Sequence, residues 1–239
     1  MMHQKQSLEV MKSKINKKIS LVNRTLLTAK VNKYIVIHYV GGVSTAKNNA
    51  NYFYAENRNA SAHFFVDEKE IWQVVETYNA AWHVGLDQKL IDKGLAKYYN
   101  GCRNYNSIGI EMCCKKDNNG NWYFEPETVD RTIALVKELM AQYHIQVERV
   151  VRHYDVTHKI CPEPYVRDEN AWKEFLSRLE EKTMFEDGEE YQALDYLVEK
   201  KRIFEKETQK EAIDIVKNYK YAIIKWANDV KTLEKNGLA

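Results

Sequence analysis

His153 and Cys161 share one short segment, Arg152-His153-Tyr154-Asp155-Val156-Thr157-His158-Lys159-Ile160-Cys161-Pro162, with Lys159 just ahead of the sulfur. Far upstream, the apolar run Tyr34-Ile35-Val36-Ile37 leads directly into His38. Two imidazoles and a thiolate form a three-donor zinc set whose fourth position is left for water or substrate; structural zinc sites usually close with four protein ligands. A thiolate donates strongly and leaves zinc a mild Lewis acid, so the chemistry calls for a base and an oxyanion stabiliser beside it. Glu111 fits the base, because it projects from an alternating strand on the face opposite its apolar neighbours. Lys159 fits the stabiliser. The combination predicts a zinc hydrolase with one Zn2+ per catalytic domain.

Taken singly, each member has a plainer reading. A lone strand histidine is more often a hydrogen-bonded core residue, and a lone cysteine is usually a small buried hydrophobe. His3, His144 and His158 read as surface residues, and His63 is open between a core hydrogen-bonder and a groove residue.

The elements that must position these groups follow from periodicity. Residues 34–38 read as a buried strand that stops at Gly41-Gly42. Thr45 caps a helix to about Glu56. His63 to Val66 and Ile71 to Val75 flank Asp67-Glu68-Lys69-Glu70 as a hairpin, although that turn lacks Gly or Asn. Ser107 to Cys113 alternates cleanly, with Ile108, Ile110 and Met112 on one face. A helix from about Glu127 to Tyr143 carries the stripe Val129, Ile133, Val136, Met140 and Tyr143. Val150-Val151-Arg152-His153 reads as a strand, and Asp168 caps a helix bearing Trp172, Phe175, Leu176 and Leu179. Strands alternating with helices predict an α/β domain with a central mixed β-sheet flanked by helices.

The 239 residues allow one domain with an appendage. A hydrophobic share of 44%, with nine Gly and three Pro, excludes a fibrous or disordered chain. A net charge of +2 gives no support for nucleic-acid binding. The four cysteines form no dense disulfide pattern, so a reduced compartment is the simpler reading, with a Cys102–Cys113 bridge left open. No apolar run reaches the roughly 18 residues of a membrane span, and the N-terminus lacks the apolar core of a secretory signal. The expectation is cytoplasmic synthesis.

The ordered segments Tyr34-Ile35-Val36-Ile37-His38, Ser61-Ala62-His63-Phe64-Phe65-Val66, Ala80-Ala81-Trp82-His83-Val84-Gly85, Asn106-Ser107-Ile108-Gly109-Ile110-Glu111, Arg152-His153-Tyr154-Asp155 and Lys159-Ile160-Cys161-Pro162 carry a resemblance. They resemble those of zinc-dependent N-acetylmuramoyl-L-alanine amidases of the bacteriophage-lysozyme and peptidoglycan-recognition-protein superfamily. The resemblance implies hydrolysis of the amide between N-acetylmuramic acid and L-alanine of the peptidoglycan stem peptide. It matches His38, His153 and Cys161 to the zinc ligands, and Glu111 and Lys159 to the catalytic pair. It also makes His63, His83 and Trp82 candidate substrate contacts, with Trp82 chiefly a packing residue. Some relatives carry a catalytic tyrosine where this chain has Ala62, so Glu111 bears more of the chemistry. Relatives that only recognise peptidoglycan commonly lack the cysteine ligand, so Cys161 favours catalysis over a non-catalytic binding module.

The expected organisation is an N-terminal extension over 1–30, a catalytic domain over 31–182, a linker over 183–188 and a helical region over 189–239. That last region serves wall binding, docking or homo-oligomerisation. The biological expectation is a phage or prophage endolysin that reaches the wall after release, with a host autolysin as the alternative.

Overall fold

The computed structural model describes residues 14–85 and 94–180. The linker and C-terminal helices expected over 183–239 lie outside the described residues. Among those described, no helix is long and apolar enough to cross a membrane.

Among the described residues, seven strands build the architecture: β1 (Ile15–Lys17), β2 (Tyr34–Val43), β3 (Phe64–Val66), β4 (Ile71–Gln73), β5 (Ser107–Lys116), β6 (Trp122–Tyr123) and β7 (Val150–Arg152). Their order is β1-β4-β3-β5-β2-β7, with β6 paired to β5 off this path. The β3–β4 and β5–β6 pairs are antiparallel and the others parallel, so the sheet is mixed as expected. Helix α1 (Ala46–Ala55) follows β2, and α2 (Pro126–Tyr143) follows β6. The short helices α3 (His153–Thr157) and α4 (Glu163–Arg167) lead into α5 (Glu169–Glu180).

Strand alternation divides the sheet into two faces with different tasks. Ile35, Ile37, Ile108, Ile110 and Met112 pack on one face with Ile133, Val136 and Leu139 of α2 and Trp172, Phe175 and Leu179 of α5. The α2 stripe is broader than its periodicity suggested, since Thr128, Thr132, Leu135 and Leu139 are buried too. The cause is a second partner, because α5 also packs on α2. The opposite face carries His38 and Glu111, and α1 covers part of it through Ala46, Ala50 and Phe53 beside Phe65 and Cys113.

Four local outcomes depart from the sequence reading or sharpen it. The strand at 34–38 does not stop at the glycines: β2 runs to Val43, with a register shift between Tyr39 and Val43 and Gly41 at φ 68°. A glycine adopts that left-handed conformation without a Cβ clash, which lets the strand bulge and continue. The turn without Gly or Asn is made by Asp67, whose Oδ1 accepts from the Lys69 and Glu70 amides while Oδ2 accepts from the Ala46 amide at the start of α1. His153 opens α3 instead of closing β7. The described part of the expected 1–30 extension is built into the sheet, because β1 pairs in parallel with β4 and Thr25 bridges Ala80. Thr45 and Asp168 cap as expected: Thr45 accepts from the Asn48 amide, and Asp168 from the Asn170 and Ala171 amides. The cysteines are all buried and free, so Cys102 and Cys113 are not bridged.

Arg152 anchors the turn that presents His153. Its guanidinium meets both Asp155 oxygens, the Tyr165 carbonyl and Glu169, while its own amide donates to Asp155 Oδ2. Arg152→Met leaves Asp155 without its cation and is expected to cost about 3 kcal/mol, read as a lower midpoint in urea unfolding at unchanged slope.

Candidate metal centre

The parallel pairing of β2 with β5 sets His38 directly beside Glu111, and Ile37 pairs with Arg152 so that His153 emerges next door. The α3–α4 loop brings Cys161 back to this point, and the Tyr154 amide donates to the Cys161 carbonyl at 2.9 Å. One donor atom from each of His38, His153 and Cys161 lies within 4.8 Å of the others, and all three residues are buried. Cys161 Sγ is 3.6 Å from His38 Nδ1, and the two imidazoles meet edge-on with centroids 4.7 Å apart.

The donors fit a cation. Both ring nitrogens of His153 are buried without a hydrogen-bond partner, an arrangement that is costly unless something binds there. Burial holds His38 well below the ordinary histidine range and brings His153 down to about 3, with Lys159 adding to both, so the rings are neutral and their lone pairs free. Burial, with Glu111 nearby, pushes Cys161 up to about 12, so a thiolate forms there only with compensating positive charge. Neutral imidazoles, a thiol awaiting deprotonation and orphaned nitrogens match the donor chemistry of zinc.

Glu111 and Lys159 line the same cavity of about 300 Å³, together with Tyr39, Trp82 and His83. Burial raises Glu111 to about 8 and Lys159 pulls it back down, while one carboxylate oxygen, Oε2, is buried without a partner. A second hollow of about 680 Å³, bordered by Tyr34, Tyr105 and Arg149, contains none of the residues expected to act.

The three residues expected to contact substrate differ in their access to this cavity. Trp82 borders the cavity, and its indole donates to Thr25 Oγ1 at 2.8 Å. His83 also borders it, but both ring nitrogens have protein partners: Nδ1 meets His38 Nε2 at 3.0 Å and Nε2 meets Ser107 Oγ at 3.1 Å. Ser107 Oγ donates onward to the Arg103 carbonyl. That chain orients His38 so that Nδ1 faces Cys161, as partners of a ligand's far nitrogen generally do. His63 is fully buried and does not border the cavity, because its ring is taken up by the Gly109 amide on one side and by Asn79 and Lys30 on the other. Of its two open readings, the core hydrogen-bonder is the one the structure matches. Ala62 is buried and offers no hydroxyl.

Two residues had no assigned role in the sequence reading. Ser107 terminates the His83 chain, and Gly109 supplies the space His83 occupies: a Cβ there would lie 2.6 Å from His83 Cγ. Their small size at alternate positions of β5 was the available signal. Gly109→Ala is expected to displace His83, destabilise the fold by about 1–3 kcal/mol and weaken metal binding by about 10–100-fold, measured by thermal melting and chelator competition.

The chain is similar to known proteins in sequence and in fold. A "Probable N-acetylmuramoyl-L-alanine amidase" of Bacillus licheniformis is 33% identical over 168 residues, covering 68% of this chain and 45% of the relative. The N-acetylmuramoyl-L-alanine amidase BlyA of Bacillus subtilis strain 168 is 34% identical over 158 residues, covering 63% and 41%. The chain thus spans less than half the length of these two curated relatives. Among solved structures, the PlyG catalytic domain aligns with a TM-score of 0.57 at 25% identity over 73% of this chain and 98% of that one. A mutant endolysin from Bacillus subtilis aligns at 0.54 and 28% identity over 70% and 99%. The family profile described as N-acetylmuramoyl-L-alanine amidase matches residues 28–164, which include His38, Glu111, His153, Lys159 and Cys161; by that match over more than half its length, the chain belongs to the N-acetylmuramoyl-L-alanine amidase family.

Proposed function

We propose that this chain is a zinc-dependent peptidoglycan amidase that cleaves the bond between the lactyl group of N-acetylmuramic acid and the amine of L-alanine. The observation that carries the proposal is the convergence of His38, His153 and Cys161 beside Glu111 and Lys159 in one cavity. Family membership and the names of the relatives supply the substrate class.

His38, His153 and Cys161 would hold the zinc, which supplies Lewis acidity toward the scissile carbonyl and the attacking water. A cation held by those three residues would favour the carboxylate form of Glu111, which burial alone disfavours. Glu111 then takes one proton from the attacking water as the oxygen bonds to the lactyl carbonyl carbon. Lys159 presents its ammonium to the oxygen that becomes negative. Glu111 returns the proton to the alanine nitrogen as the C–N bond breaks, leaving a lactyl carboxylate and a free stem-peptide amine. Trp82 and Tyr39, on the cavity wall, give the substrate apolar surface.

The names of its relatives support an endolysin-like role in which the enzyme degrades the wall during host lysis. Digestion of purified peptidoglycan should release stem peptides with new L-alanine amino termini, identified by mass spectrometry, and a chelator should abolish the release. Intact lactyl–alanine bonds after prolonged digestion with zinc-loaded protein would instead favour a binding module on the same fold.

A further inference from the structure

Behind His38 and His83, a lysine amine is enclosed with an imidazole. Lys30 Nζ lies 2.8 Å from the Asn79 carbonyl oxygen, 2.8 Å from the Ser107 carbonyl oxygen and 3.0 Å from His63 Nε2. On the far side of the ring, the Gly109 amide donates to His63 Nδ1 at 2.9 Å. A backbone N–H is only ever a donor, so Nδ1 is the acceptor and a neutral His63 carries its proton on Nε2. The ring is neutral because burial holds His63 well below the ordinary range.

The Nε2 proton therefore points toward the Asn79 carbonyl, 3.1 Å away, and Lys30 Nζ. An ammonium would donate to the two carbonyls and aim its third proton at an N–H. A neutral amine donates to the same two carbonyls and offers its lone pair to Nε2–H. Only the neutral amine leaves no donor facing a donor. Burial acts in the same direction, lowering Lys30 to about 7.

This pair is connected to the metal centre by contacts. The His63 amide donates to the Gly109 carbonyl at 3.0 Å, and Gly109 returns its amide to the His63 ring, so β5 is clamped at the residue on which His83 rests. His83 in turn meets His38. We propose that Lys30, held as a neutral amine, is a positioning residue for His38, acting through His63, Gly109 and His83. The titratable groups facing Lys30 are His63 directly and His83 behind it. The Arg24–Glu76 pair is linked to it through Asn79, whose carbonyl accepts from Lys30 and whose side-chain amide donates to Glu76. Among the described residues, no carboxylate is hydrogen-bonded to Nζ.

The proposal rests on the metal-site reading, and its first test is independent of activity. Nitrogen NMR of the full chain labelled at lysine and histidine should show Lys30 titrating near 7, far below the ordinary value of about 10.4, with His63 unprotonated at Nδ1. A Lys30 that titrates in the ordinary range, or a His63 protonated at Nδ1, overturns the proposal, and this test stands whether or not the variants fold. Lys30→Met, which keeps the stem and removes the amine, should weaken zinc binding about 10-fold in chelator competition, and the permanent cation of Lys30→Arg should weaken it further. Parental zinc affinity in both folded variants also overturns the proposal. Failure to cleave peptidoglycan despite the expected NMR and zinc results would count against the amidase reading alone.

Discussion

Glu111→Gln is expected to reduce peptidoglycan amidase turnover by about 10²–10⁴-fold while leaving zinc stoichiometry unchanged. The amide has nearly the same volume as the carboxyl group and preserves the packing, but it cannot carry the proton from water to the leaving nitrogen. Substrate binding depends little on that proton, so the loss falls on kcat with KM nearly constant. Turnover within a few-fold of the parent would remove Glu111 from the mechanism. The same substitution reports on the carboxyl group without any substrate. In the metal-free protein the folded state keeps the Glu111 proton up to about 8, while an unfolded chain releases it near the ordinary glutamate value of about 4.3. The stabilisation is therefore complete below the unfolded value and is lost as pH rises toward and through 8. Glu111→Gln should flatten this decline, measured as urea midpoints across the range in the presence of a chelator.

Cys161→Ser is expected to weaken zinc binding by at least about 100-fold and to abolish turnover at limiting zinc. A serine hydroxyl is a poor ligand and does not supply the thiolate charge that a buried cation needs. Zinc at a concentration 100 times its dissociation constant stabilises a folded protein by about 2.7 kcal/mol, so the parent should melt higher when zinc is added and the variant should not. His153→Ala should behave in the same way, because it removes the buried ring whose two nitrogens have no protein partner. An unchanged zinc response in both variants would mean that the ion, if bound, sits elsewhere.

Much of the centre was legible from residue types and local pattern. The run before His38, the alternation around Glu111 and the closeness of Cys161 to His153 and Lys159 are short-range features, and the structure places all five residues around one cavity. The capping roles of Thr45 and Asp168 were legible for the same reason, since a cap acts over three or four residues.

What the one-dimensional pattern did not contain was register, and register decided the rest. Nothing local to β2 or β5 states that His38 pairs with Glu111 or that Gly109 lies beneath His83; the pairing follows from packing both apolar faces on α2 and α5 at once. His63 and His83 lie in similar-looking motif segments, yet one is held by the Gly109 amide, Asn79 and Lys30 and the other is bonded to His38, because long-range neighbours took up their nitrogens. The sequence by itself determined which groups were available for zinc-hydrolase chemistry and the strands that carry His38 and Glu111. The tertiary structure decided which nitrogens stayed free for an ion and which were held by the protein, because hydrogen-bond partners drawn from distant strands are set only when the sheet assembles.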